Sequence, residues 1–177
     1  IRHHLLDIKN PDEVISLGEF QRFADFVIHD IHSDRARGNL WLIDSNRGEE
    51  QPLLSGPADY QSPRWSPDGR RLALALSGQD GNLDIHVLTP ATGETRRLTR
   101  NPAIDTEAAW SADGKSIYFT SDRSGGPQVY RVPSSGGTPE RVTFEGSYNA
   151  RPRLSPDGTR LAMVHNDRGN YRIAVMD

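Results

Sequence analysis

The chain has 177 residues, a formal net charge of −3, 34% hydrophobic residues, 16 Gly, 12 Pro and no Cys. That balance excludes disulfide and thiolate chemistry and argues against a nucleic-acid surface built on a basic stripe. No apolar run reaches the roughly 20 residues that a membrane-spanning helix needs. The length suits one domain of ordinary size, and the abundance of Gly and Pro predicts many short strands joined by turns.

The chain begins at Ile1 without Met, shows no secretory leader there and stops at Asp177 in mid-repeat, so it reads as a processed or partial product. Pro11-Asp12-Glu13, followed by Val14, Leu17 and Gly18, predicts a short helix, with Pro near its first position, acids in the first turn and Gly near its end. The rival reading is a strand pair, His4–Ile8 and Val14–Leu17, flanking an Asn-Pro-Asp turn; the helix is preferred. Residues 1–18 are therefore read as a remnant or junction of an N-terminal region, and residues 19–177 as repeats.

The repeats announce themselves in one phrase: Trp65-Ser66-Pro67-Asp68-Gly69, Trp110-Ser111-Ala112-Asp113-Gly114 and Leu154-Ser155-Pro156-Asp157-Gly158, whose first residues lie 45 and then 44 positions apart. A period of that length signals the four-stranded blade of a propeller. Each phrase is a tight turn from an inner strand a to strand b: Pro supplies φ near −65°, Gly supplies a positive φ, and the Asp side chain can accept backbone N–H groups two residues on. Strand b follows at Leu72–Leu76, Ile117–Phe119 and Leu161–Val164, and strand c at Ile85–Leu88, Val129–Val132 and Ile173–Val175. A closing Arg-x-Thr strand d is expected at Arg97–Thr99 and Arg141–Thr143. Strand b is apolar throughout, as a strand covered on both faces should be. The same spacing places strands b and c of an earlier blade at Phe26–Ile31 and Leu40–Asp44, with Leu53 in its outer strand; no turn phrase and too little chain precede Val27 for a full inner strand. The fold class is all-β: a β-propeller of four-stranded antiparallel blades, incomplete, about four blades' worth, over 19–58, 59–103, 104–147 and 148–177.

Several residues invite chemistry that the pattern does not favour. The Ser and Asp of the turn phrases recur in every copy, as a structural role predicts and a single active site does not. His29-x-x-His32 offers two imidazoles, but no third ligand stands nearby and a strand followed by a loop does not aim both at one point; polar surface is preferred. Asp80-Gly-Asn-Leu-Asp84 lacks the spacing and closing Glu of a Ca²⁺ loop and reads as a b–c hairpin. Asp59, Asp105 and Glu107 could converge on a cation at a channel axis, though nothing in the sequence demands it. No metal or cofactor is expected. Trp65 and Trp110 are read as packing between blades.

Residues 71–177 resemble the TolB family, periplasmic propellers of the Tol-Pal system of Gram-negative bacteria. The resemblance rests on Leu72-Ala-Leu-Ala-Leu-Ser77, Asp105-Thr-Glu-Ala-Ala-Trp110, Tyr118-Phe-Thr-Ser-Asp-Arg123, Pro127-Gln-Val-Tyr130, Arg141-Val-Thr-Phe-Glu-Gly146 and Asn149-Ala-Arg-Pro-Arg-Leu-Ser155. A weaker likeness, Gly18-x-Phe20 leading into Ala24-Asp25-Phe26-Val27, resembles the junction into such a propeller. TolB-like proteins carry an α/β domain and six blades, and other Tol proteins engage a strap at the extreme N-terminus; this sequence holds one incomplete blade, two full ones and most of another. Residues 20–60 also resemble the opening of propellers in the prolyl-oligopeptidase family, through Asp34-x-x-x-Gly38-Asn-Leu-Trp-Leu-Ile-Asp44. Those enzymes need a Gly-x-Ser-x-Gly elbow, which this sequence lacks.

The TolB resemblance implies a non-enzymatic periplasmic binding module that engages the lipoprotein Pal and serves outer-membrane integrity, cell division and protein transport; the runner-up is the gating propeller of a serine peptidase. The binding surface is expected at the channel mouth formed by the d–a connectors, which vary between copies while the scaffold does not. The candidate residues are Asp59, Tyr60, Gln61, Ser62, Asp105, Thr106, Glu107, Tyr148, Asn149 and Arg151. Tyr60, Thr106, Glu107, Tyr148, Asn149 and Arg151 are expected to be partly exposed, and Trp65, Trp110 and the strand-b leucines buried.

Overall fold

The computed structural model describes residues 27–30, 38–44, 47–56, 58–78 and 81–177. They divide between two units, residues 1–58 and 59–177, and every regular element among the described residues is a strand. In the first unit, β1 (Val27–Asp30), β2 (Gly38–Ile43) and β3 (Glu50–Gly56) form an antiparallel sheet in that order. Val27 stands opposite Ile43, and Gly38 opposite Gly56. These are strands b, c and d of the expected blade. The helix expected over Pro11–Gly18, its strand-pair rival and His32 lie outside the described residues.

The second unit holds three antiparallel sheets. The first runs β4 (Tyr60–Trp65), β5 (Leu72–Ser77), β6 (Leu83–Thr89), β7 (Glu94–Arg97). The second runs β8 (Asp105–Trp110), β9 (Ser116–Ser121), β10 (Gln128–Pro133), β11 (Glu140–Arg141). The third runs β12 (Tyr148–Leu154), β13 (Leu161–Asp167), β14 (Asn170–Met176). Strand order equals chain order in each, the meander of a propeller blade.

The turn phrases fold as their residue types dictate, and the same bonds recur in all three copies. Ser66, Ser111 and Ser155 donate their hydroxyls to Oδ1 of Asp68, Asp113 and Asp157 at 2.5, 2.6 and 2.5 Å. The same Oδ1 atoms accept the backbone N–H of Arg70, Lys115 and Thr159 at 3.1, 3.0 and 3.0 Å. Each serine oxygen in turn accepts a backbone N–H five residues on, from Arg71, Ser116 and Arg160, at 2.9 Å. Gly69, Gly114 and Gly158 close the turns at φ of 67°, 67° and 73°, where a Cβ would strain the backbone. The hydroxyl bond is the leading cause that holds all three aspartates below the usual carboxylate range, Asp157 at about 2.

The closing strands end earlier than expected. β7 and β11 stop at Arg97 and Arg141, and the Thr of each Arg-x-Thr adds side-chain pairing beyond the strand end. Thr99 and Thr143 accept the N–H of Ile85 and Val129 through their hydroxyls at 3.0 Å. Those hydroxyls donate to Asp84 and Gln128 at 3.1 and 2.9 Å, while Arg97 and Arg141 donate Nε to the Thr carbonyls at 2.9 and 2.5 Å.

The sheets of this unit stack face to face. Ala73, Ala75, Ile85 and Val87 of the first meet Trp110, Ile117, Phe119, Tyr130 and Val132 of the second in one buried cluster. Val129 of the second meets Leu161 and Met163 of the third. Trp110 also donates Nε1 to the Arg64 carbonyl at 3.0 Å, under the Arg71 guanidinium 4.8 Å from the ring centre. Leu72, Leu74 and Leu161 are buried as expected. Leu76 and Trp65 are half-buried rather than buried. Ile173 and Val175 occupy the positions of Ile85 and Val87 and are 71% and 61% exposed.

A carboxylate whose pKa is depressed in the folded state stabilises the fold above its unfolded value near 4 and ceases to do so as pH falls through the folded value. For Asp157 that window runs from about 4 down to about 2. We expect thermal melts of the full-length protein to lose stability across this window, and a D68N/D113N/D157N variant to lose visibly less over the same span. Identical slopes would contradict the role given to the turns.

Candidate functional site

The inner strands β4, β8 and β12 lie side by side, and register places their opening residues in equivalent rows. Tyr60 opposes Leu76, Asp105 opposes Ser121 and Asn149 opposes His165. One residue earlier stand Asp59, Ile104 and Tyr148, at the rim. One residue later stand Gln61, Thr106 and Ala150, and after them Ser62, Glu107 and Arg151.

The row of Tyr60, Asp105 and Asn149 is buried, which corrects the expected exposure of Tyr60 and Asn149 and turns Asp105 away from the surface. Each member of the row meets different chemistry. Burial raises the pKa of Tyr60. Asp105 receives Arg123 Nη2 at 2.9 and 2.7 Å on its two oxygens. Arg123 also donates Nε to Ser121 Oγ at 2.9 Å and lies 4.8 Å from the Tyr130 ring centre. Asn149 donates to Gln128 Oε1 at 2.8 Å and to the Glu145 carbonyl at 2.7 Å, with His165 Nδ1 at 2.7 Å from its Oδ1.

The neighbouring rows are more open, Ala150 excepted. Gln61, Ser62, Thr106, Glu107 and Tyr148 are half-buried, and Asp59 and Arg151 are exposed. Ser62, Glu107 and Arg151 share a conformation the sequence did not announce: φ of 50°, 58° and 58°, each at a bulge that shifts the a–b register, between Gln61 and Arg64, Thr106 and Ala109, and Ala150 and Arg153. A left-handed backbone at non-glycine residues costs roughly 1–3 kcal/mol each and persists only where surroundings enforce it. Between the second and third sheets that enforcement is visible. Arg151 donates its backbone N–H to Glu107 Oε2 and to Thr120 Oγ1, both at 3.0 Å, and its Nε to Glu107 Oε1 at 3.0 Å. Thr120 Oγ1 donates to Glu107 Oε2 at 2.8 Å.

Asp105 and Glu107 are thus each engaged by an arginine, and among the described residues no three His, Asp or Glu side chains gather as a cation site. Asp84 serves Thr99 and Arg97. Ile104, half exposed, holds the row of Asp59 and Tyr148. One neighbour of that row was missed. Tyr171 of β14 meets Tyr148 edge to face, with ring centres 5.4 Å apart, a partner only the sheet pairing reveals.

The family model described as the TolB beta propeller domain matches residues 31–177. The chain belongs to that family. It is 46% identical to the Tol-Pal system protein TolB of Bordetella pertussis, over 55% of this chain and 32% of that relative, so it spans about a third of the relative's length. The crystal structure of TolB from Acinetobacter baumannii superposes with a TM-score of 0.80 at 36% identity, covering 88% of this chain and 39% of that one. A puromycin hydrolase superposes at 0.70 with 20% identity, over 86% of this chain and 25% of that one; at that identity the likeness is one of fold.

In this TolB-family unit, Asp105 has no solvent exposure and Arg123 little. Removing one partner of such a pair leaves a buried charge uncompensated, at a cost of about 3–5 kcal/mol. We expect Arg123→Ala to lower unfolding free energy by about that amount in urea titrations. Arg131→Ala, which breaks an exposed pair with Glu140, should cost about 1 kcal/mol or less.

Proposed function

We propose that this chain is the propeller portion of a TolB-type protein that acts without catalysis in the periplasm, binding the lipoprotein Pal at the mouth built by its inner-strand openings and so serving outer-membrane integrity and cell division. The observation that carries the reading is the family match over residues 31–177 together with the 46% identity to the Tol-Pal system protein TolB of Bordetella pertussis. The geometry supports it: a rigid stack presents Asp59, Gln61, Ser62, Thr106, Glu107, Tyr148 and Arg151 on one rim, while Tyr60, Asp105 and Asn149 hold that rim from beneath. Tyrosine and arginine concentrate binding energy at protein interfaces, and Tyr148 braced on Tyr171 is prepared for that role. The peptidase reading shares the fold and has no site residue among those described to support it.

Calorimetry of the full-length protein with the soluble domain of Pal, beside a peptidase assay on the same preparation, separates the two. Tyr148→Ala should weaken Pal binding by about 1–3 kcal/mol with little change in melting temperature. Gly114→Ala should lower stability by about 1–2 kcal/mol, leaving the affinity of the folded fraction intact. Peptide hydrolysis with no Pal binding would overturn the proposal.

A further inference from the structure

Arg151 is set up unlike any other arginine among the described residues. Arg64 and Arg153 fold back onto the carbonyls of Pro63 and Pro152, and Arg123 turns inward to Asp105. Arg151 instead combines a left-handed backbone, a stem held at two points and an open tip. Glu107, whose side chain is only 21% exposed, takes the Arg151 backbone N–H and Nε. The Thr120 hydroxyl completes the carboxylate. The Arg151 side chain is 68% exposed, and its Nη1 and Nη2 donate to nothing among the described residues.

Anchoring Nε fixes the guanidinium plane, so the Nη1–Nη2 edge has a set direction before any partner arrives. That edge is a fork of parallel N–H donors, the shape that matches a carboxylate with two charge-assisted bonds. Holding the fork in advance lowers the side-chain entropy lost on binding. Glu107 does not engage that edge: its Oε1 takes Nε, and its Oε2 takes the Arg151 backbone N–H and the Thr120 hydroxyl.

The geometry points to an Asp or Glu side chain on the surface of a folded protein partner as the group that docks on the Arg151 Nη1–Nη2 edge. This rests on the proposal that the mouth binds protein, and it adds the chemistry of the contact. A small free acid fits poorly, because the Arg151 side chain is largely exposed; a cavity of about 430 Å³ lies elsewhere, lined by residues that include Arg96, Arg100 and Gly136. A protein surface would cover Arg151 together with Tyr148, three residues earlier on the same strand, and exclude the water that otherwise screens an exposed charge.

The test is calorimetry of the full-length protein with the soluble domain of Pal at low and at physiological salt. Arg151→Gln should weaken binding about tenfold and flatten its salt dependence. Arg151→Lys, which keeps the charge and loses the fork, should still weaken it by about threefold or more. One Asp or Glu→Ala substitution on the partner should cost little further affinity once Arg151→Gln is present. Unchanged binding by Arg151→Gln, with Tyr148→Ala weakened, overturns the carboxylate contact and leaves the mouth standing. Weakening by Arg151→Gln with no coupled partner acid also overturns it. No effect from either variant, or no binding by the parent protein, overturns both. Melting temperatures of the variants check that each is folded, and Arg151→Lys decides the matter should Arg151→Gln unfold.

Discussion

In the second unit the arrangement depends on one packing relation: one face of each sheet lies against the facing side of the next. Ala73 and Ala75 leave room on β5, and Ile117 and Phe119 of β9 fill it beside Trp110. Tyr118 and Val129 of the second sheet meet Leu161 and Met163 of the third in turn, and β8 and β12 each lie alongside a neighbouring inner strand. The rows at the strand openings align on that packing, and between the second and third sheets the bonds from Arg151 to Glu107 hold them as well. Interiors packed at this density tolerate little change in volume, so the mouth inherits its rigidity from a core that lies away from it.

That division explains why polar residues at the mouth can differ from copy to copy. The scaffold supplies the same turn, register and inner-strand bulge in each sheet of the second unit. What stands on the bulge is serine, glutamate or arginine. The backbone conformation is held by the surroundings, and the side chain is left to other demands. Where two demands meet, as between Glu107 and Arg151, the result joins two sheets and also leaves a charged edge turned outward.

Much of this was legible in the sequence because turn chemistry is local. Ser66, Asp68 and Gly69 specify their hairpin within five residues, and the spacing to Leu72 and Ile85 follows from strand length. The bulges were not legible. A positive φ is ordinarily announced by glycine or asparagine, and Ser62, Glu107 and Arg151 give no such sign. The burial of Tyr60, Asp105 and Asn149 was hidden for a related reason. Their polarity suggests surface, yet all three are buried, and Asp105 depends on an arginine 18 residues away. Comparing the three copies row by row, instead of reading each connector as a block, would have set those residues apart.

The central claim is that the rim of the inner-strand openings, and not the face bearing the turn phrases, receives the partner. Hydrogen exchange of the full-length protein, with and without the soluble domain of Pal, addresses it most directly. The account predicts slowed exchange over 59–62, 104–107 and 148–151 and no change over 66–71, 111–116 and 155–160. Protection confined to the turn phrases, with the rim exchanging as in the free protein, would contradict it.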